Sequence, residues 1–430
     1  MNRQSTHPHL RISSVLIGLS SAMDLVRPEL VNHHKQTAFM AGQIASKLCI
    51  SDQRKSDLGI AAVLHDLGAI SLNEQFELSF AAKGMQHHAN VGYLILREFK
   101  PFHAAADIVH FHHRPWDNGR GVEYKGEPVP LESHLLHLAD RVSILLNMNS
   151  SVLTQAKTIR ETIKAEKGSL FSPIAVEAFL EASEREVFWL GAKFSSSPHM
   201  DIGSGSIFWN LDLDSTFLLE LSELFRLIID FRSKSTAAHS SCVAWIAEEL
   251  ARMVGFSAKE CQAIYVAGNL HDLGKLAIPV EILEKPGPLN DEERTRMKSH
   301  AYHTFRVLNS IGNMGDIPSF AAYHHETLDG RGYPFRTDKE NLPLGSKIIA
   351  VADIFSALGE NRAYRSALAP DEIMKIIRTK VDNHELDGNL VRLLEQEFDK
   401  FIDINSTEQK KSYAKYEEIH ANPLFQDTSD

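Results

Sequence analysis

HDLGK (residues 271–275) and HDLGA (residues 65–69) are one short phrase written twice, 206 positions apart. The same displacement sets TAFMAGQIASKL, from Thr37, against VAWIAEELARMV, from Val243, and His33 against His239. A slightly longer displacement brings His88 onto His300 and the pair His112, His113 onto His324, His325. One residue more aligns PLESHLLHLAD, ending at Asp140, with PLGSKIIAVAD, ending at Asp353. Small changes in displacement are what insertions in connecting loops produce, so the chain reads as a duplication.

The repeated segments carry apolar residues at helical spacing. Ala263, Ile264, Val266, Ala267 and Leu270 lead into His271 in this way. No alternating run is long enough for more than a small ribbon. The expected fold is therefore all-α, two tandem helical bundles. Residues 10–195 form the first domain, 196–212 a linker, 213–404 the second domain and 405–430 a polar tail. Asn290, ahead of DEERTRMK, is expected to cap a helix with a solvated face.

A chain of 430 residues can bury two cores of ordinary size. Its hydrophobic share of 43% and charged share of 23% are those of a globular protein, with no apolar run of bilayer length and no signal-peptide pattern. Membrane insertion and export are not expected, and the cytoplasm is the expected compartment. Cys49, Cys242 and Cys261 form no CxxC pair, which suits a reducing environment and reads as packing. The net charge of −11 argues against a DNA or RNA polymer as partner, so a phosphate ligand needs local cations.

Those cations can be metal ions. In order, the second half offers His239, His271, Asp272, His300, His324, His325 and Asp353. Imidazole and carboxylate donors in this number suit two adjacent divalent transition metals such as iron or manganese. A carboxylate bridges while imidazoles add no charge, and Asp272, directly after a histidine, is the natural bridge. Such a pair generates a hydroxide and neutralises phosphate charge, which is phosphoester hydrolysis chemistry. Lys275 stands a turn away and can bind phosphate as a point charge. Asp329, Gly330, Gly332, Tyr333 and Pro334 make a constrained loop, and Arg362 and Arg365 can clamp phosphates. A lone His-Asp dipeptide carries little weight, but the ordered set is hard to explain as core packing. His134, His137 and His303 are read as helix-surface or helix-edge residues without a role.

HDLGK, HHETLDGRGYP (residues 324–334) and ADIFSALGENRAYR (residues 352–365) resemble the signatures of the HD-GYP family of bacterial cyclic-dinucleotide phosphodiesterases. The resemblance covers roughly Leu213 to Ile404. It implies one metal on His239, His271, Asp272 and Asp353, and another on Asp272, His300, His324 and His325. Asp272 and Lys275 would then be the catalytic groups, with Lys275, Arg362 and Arg365 on the substrate phosphates and the Gly-Tyr-Pro loop facing substrate or a partner protein. Ser235 stands where some members carry a glutamate for a third metal. Two-HD chains of this kind are similar to phosphodiesterases of 3′,3′-cyclic GMP-AMP (cGAMP), while the family at large acts on cyclic di-GMP. The alternative is a non-catalytic cyclic-dinucleotide receptor signalling to a partner such as a diguanylate cyclase.

The first half repeats the donors as His33, His65, Asp66, His88, His112, His113 and Asp140, with Glu29 opposite Ser235. It lacks the cations, because Ala69 replaces Lys275, and Asn149 and Val152 stand opposite the arginines. DNGRGVEY replaces the Gly-Tyr-Pro loop. A second metal site with a regulatory role is the expectation for this half.

Overall fold

The computed structural model describes residues 11–26, 32–72, 86–194, 215–232, 238–360 and 366–426. Two compact units emerge. One lies within Arg11–Asp212 and takes in the residues after His420, and the other lies within Leu213–His420. Both are helical, and among the described residues the only sheet is a ribbon pairing Glu123–Tyr124 with Glu127–Pro128. No described helix is long and apolar enough to cross a membrane.

In the second unit the His239–Val254 helix packs against the Ala258–Leu270 and Leu344–Leu358 helices. Ser257 starts the Ala258–Leu270 helix with a capping box to Glu260, satisfying backbone N–H groups that a helix start leaves open. Apolar Ile264, Val266, Ala267 and Leu270 face the core, so the helix delivers His271, its C-cap, to the interior. A short 3-10 turn, Leu273–Ala277, follows and packs on the long Asp291–Ile311 helix. Asn290 does cap that helix, through a second capping box to Glu293.

The glycine of each repeat has a steric cause. A Cβ on Gly274 would lie 1.9 Å from the His300 carbonyl oxygen, and one on Gly68 would lie 2.0 Å from that of His88. The backbone of the turn rests directly on the helix that carries the next histidine, and only glycine permits that approach. Thr304 locks the contact in the second unit: its hydroxyl donates to the His271 carbonyl at 2.9 Å and accepts from the Gly274 N–H at 2.9 Å.

The chain beyond residue 404 is not a loose tail. The Phe398–His420 helix runs through it with Asn405, Glu408, Ser412 and Ile419 buried, and packs on the His239–Val254 helix. Glu408 accepts from Ser241 Oγ at 3.1 Å and the Gln409 amide donates to the Gly359 carbonyl at 3.2 Å. Most of the buried positions are polar, which is why the segment reads as solvated in the sequence. The expected linker of residues 196–212 falls outside the described residues. Cys242 and Cys261 are buried as expected, whereas Cys49 is exposed.

Gly274→Ala should destabilise the second unit by about 1–3 kcal/mol or more, because backbone rather than a flexible side chain must yield. Chemical denaturation beside the parent protein measures this, with Gly287→Ala, where a Cβ meets nothing within 4 Å, as the control.

Candidate metal centre

Asp272 is the point on which the second-unit donors converge. Its Oδ2 lies 3.3 Å from His271 Nε2 and 3.9 Å from His239 Nε2, while its Oδ1 lies 3.6 Å from His300 Nε2. The two carboxylate oxygens thus face two separate groups of histidines. Donor atoms of His239, His271 and Asp353 lie within 4.8 Å of one another, as do those of His271, Asp272 and His324, and those of His300, His324 and His325. All seven are gathered at one place and all but His325 are buried.

The ring nitrogens are arranged as metal ligation requires. His271, His300 and His324 hold their Nδ1 atoms on the carbonyls of Gly268, Met297 and Ala321 at 2.7, 2.6 and 2.6 Å. A carbonyl only accepts, so Nδ1 carries the proton and Nε2 keeps its lone pair. His271 Nε2 is buried and has no hydrogen-bond partner. A buried lone pair beside a carboxylate, without a hydrogen bond, is a fit for a cation. Burial pushes His300 down to about 4, and burial together with the neighbouring His300 pushes His325 down to about 3. Both are neutral donors at physiological pH.

Glu360 is the residue that sequence reasoning missed. It is buried, and its Oε1 accepts from His239 Nδ1 at 3.1 Å and from Ser356 Oγ at 2.5 Å. Burial works to lower the pKa of His239, but the Glu360 and Asp353 carboxylates override it and raise it to about 10. Asp353 Oδ1 is 3.0 Å from His239 Nε2 on the opposite edge of the ring. A histidine clamped this way has one rotamer and an electron-rich Nε2. No spacing rule singles out a glutamate in LGENR, so only the fold reveals it.

Lys275 Nζ lies 2.5 Å from Asp272 Oδ2, with 19% of its side chain exposed. Burial would raise the Asp272 carboxyl, but His271 and Lys275 hold it well below the usual carboxylate range. The Gly-Tyr-Pro loop borders the same place: the Tyr333 N–H donates to the His325 carbonyl at 3.1 Å and its ring lies 4.7 Å from that of His325. Buried Glu326 fixes the loop by accepting from the N–H groups of Phe335, Arg336 and Thr337 at 2.7, 3.1 and 3.0 Å. Gly330 needs its positive φ of 71°, and a Cβ on Gly332 would strike the backbone of Glu326 at 2.4 Å. Asp329 turns inward on its own loop, accepting from Thr327 Oγ1 and the Arg331 N–H. Pro334 follows Tyr333 in that loop. Arg362 and Arg365 lie outside the described residues.

The first unit repeats the pattern. Asp66 Oδ2 faces His65 Nε2 at 3.2 Å and His33 Nε2 at 3.9 Å, and its Oδ1 faces His88 Nε2 at 3.5 Å. Asp140 Oδ1 lies 3.0 Å from His33 Nε2, and His88, His112 and His113 form a further group. His65 and His112 hold their Nδ1 atoms on backbone carbonyls, and their buried Nε2 atoms lack hydrogen-bond partners. Glu29 lies outside the described residues. Where the second unit has Glu360, this one has a neutral relay, His33 Nδ1 to Ser143 Oγ at 3.0 Å and Ser143 Oγ to Gln36 at 3.2 Å. His134 and His137, expected at helix surfaces or edges, are buried. They lie on the same buried helix as Asp140, and sequence alternation does not distinguish that face.

Family comparison agrees with the duplication. Residues 223–390 match one HD domain profile and residues 30–145 match another. Each half therefore contains an HD domain. It is 27% identical over 405 residues to the 3′3′-cGAMP-specific phosphodiesterase 1 of Vibrio cholerae, covering 92% of this chain and 94% of that protein. It is 35% identical to a cyclic di-GMP phosphodiesterase of Thermotoga maritima over 38% of this chain and 45% of the relative. A crystal structure of a cyclic GMP-AMP specific phosphodiesterase from Vibrio cholerae superimposes with a TM-score of 0.63 at 25% identity, covering 91% of this chain and 98% of that one. HD domains imply divalent-metal binding, and the two histidine–aspartate clusters are where the donors for it lie.

Glu360→Gln should keep the fold and lower metal affinity in the second unit by about ten- to a hundredfold, the usual cost of losing a ligand's orienting partner. Competition titration with a metal chelator reads this directly. Unchanged affinity would remove the role assigned to Glu360.

Proposed function

We propose that the second unit is a metal-dependent phosphodiesterase, acting in the cytoplasm, that opens a cyclic dinucleotide to the linear dinucleotide. The observation that carries this reading is Asp272, buried with its two oxygens facing two groups of histidines. His239, His271, Asp272 and Asp353 would hold one divalent ion, and Asp272, His300, His324 and His325 the other. Paired ions of this kind, iron or manganese by donor type, supply a hydroxide nucleophile at neutral pH and neutralise the phosphate oxygens.

The chain's own groups do the rest. Asp272 sets the separation of the two donor groups, and Glu360 and Asp353 hold His239 from opposite edges of its ring. Lys275 is tethered to Asp272 yet partly exposed, so its ammonium can turn to a phosphate oxygen as substrate arrives. Arg362 and Arg365 would bind the phosphates, and Tyr333 on its fixed loop would close the site against water or meet a partner such as a diguanylate cyclase. Relatives named for 3′3′-cGAMP match across both halves, which favours cGAMP over cyclic di-GMP as substrate. The first unit would regulate rather than repeat this chemistry, since Ala69 supplies no counterpart of Lys275.

Asp272→Ala should lose the second unit's metal and hydrolysis together, whereas Lys275→Ala and Arg362→Ala should keep metal and lose about ten- to a thousandfold in kcat/KM. Chromatography of products from cGAMP, cyclic di-GMP and mononucleotides, beside elemental analysis, tests this. Turnover by Asp272→Ala protein that has lost the second unit's metal contradicts the mechanism, and a fully loaded parent that binds but never cleaves makes the protein a receptor.

A further inference from the structure

Among the differences between the two units is the environment of one oxygen of the last aspartate. In the second unit Asp353 uses Oδ1 for His239, and its Oδ2 looks across to His325 Nδ1 at 4.0 Å. That carboxylate therefore spans both groups of donors. In the first unit Asp140 uses Oδ1 for His33 and His65, at 3.0 and 3.6 Å, but its Oδ2 is held by the neighbouring Arg141, with Nε at 3.0 Å and Nη2 at 2.7 Å. Ile354 occupies the matching position in the second unit.

A cation touching a carboxylate does not by itself exclude a metal, because Lys275 touches Asp272. The two cations differ in freedom. Lys275 is on a flexible stem with 19% of its side chain exposed, and it can leave for solvent or substrate. Arg141 is 3% exposed, and its planar guanidinium is fixed against the carboxylate by two hydrogen bonds. A buried cation on the oxygen that would turn toward the second donor group repels a second divalent ion there and removes a ligand for it.

The charge around the donors points the same way. Among the described residues, Asp272, Asp353 and Glu360 of the second unit face a mobile Lys275, whereas Asp66 and Asp140 of the first face a fixed Arg141, and the Glu360 position is served by uncharged Ser143 and Gln36. Buried His34, whose counterpart is Ser240, adds an imidazole nitrogen 3.5 Å from Asp66 Oδ2.

We infer that the first unit is a single-ion site, in which His33, His65, Asp66 and Asp140 Oδ1 take one divalent first-row transition metal and the buried guanidinium of Arg141 stands in for a second. A site with one ion lacks the paired clamp on attacking and leaving oxygens, and with Ala69 in place of Lys275 it has no matching phosphate cation, so it is assigned to binding rather than to cleavage of a cyclic dinucleotide. The inference does not depend on which substrate the second unit cleaves.

Manganese(II) loaded into the full chain, with loosely bound metal removed, tests it by elemental analysis and electron paramagnetic resonance. The parent should hold three ions, the His271→Ala/Asp272→Ala protein one, and the His65→Ala/Asp66→Ala protein two. The ion left in the His271→Ala/Asp272→Ala protein should give the six-line signal of isolated manganese. An exchange-coupled pair in that protein, or no ion at all, overturns the inference without any change to Arg141. Adding Arg141→Met to that protein should raise its count from one to two. A folded Arg141→Met protein that still holds one ion refutes the role given to the guanidinium.

Discussion

Burying a carboxylate at the end of a helix is costly unless opposite charge meets it, and each half of this protein does so at its His-Asp pair. Asp272 and Asp66 are both buried, and each is ringed by imidazoles that arrive from separate helices. The rest of the architecture answers to that requirement. The capped Ala258–Leu270 helix brings the pair inward, the glycine turn lets the next helix lie against it, and the Leu344–Leu358 helix returns Asp353 to the same point. Histidines with Nδ1 committed to backbone carbonyls leave Nε2 lone pairs facing the carboxylates, an arrangement that suits a cation better than an apolar core.

The duplication then separates into two electrostatic variants of one design. The second unit surrounds its donors with a third carboxylate, Glu360, and a movable Lys275. The first surrounds them with neutral Ser143 and Gln36 and an immobile Arg141. Both variants keep the helix order and the steric glycines, so the fold is shared while the charge around the metal position is not. Two copies of one scaffold can thus carry different work, with the site rather than the fold setting it.

Much of this was legible in the sequence, because metal donors and steric glycines are demanding and leave a spaced pattern. The paired HDLG phrases announced both the helical repeat and the convergent donors, and Asn290 declared its helix start. The supporting groups left no such pattern. Glu360 sits seven residues beyond Asp353 in an ordinary helix end, and Arg141 and His34 each follow a donor by one residue, where side-chain direction depends on packing. The Phe398–His420 helix was hidden because its buried face includes polar Asn405, Glu408 and Ser412, and Glu408 meets its partner Ser241 from far away in the chain.

The central claim is that Asp272 lies between two ions. Anomalous diffraction from crystals grown with manganese(II), collected on both sides of the metal absorption edge, tests it most directly. Two peaks in the second unit are expected, one beside Asp272 Oδ2 with His239 and His271, and one beside Asp272 Oδ1 with His300. A single peak, or peaks not in contact with Asp272, would contradict it.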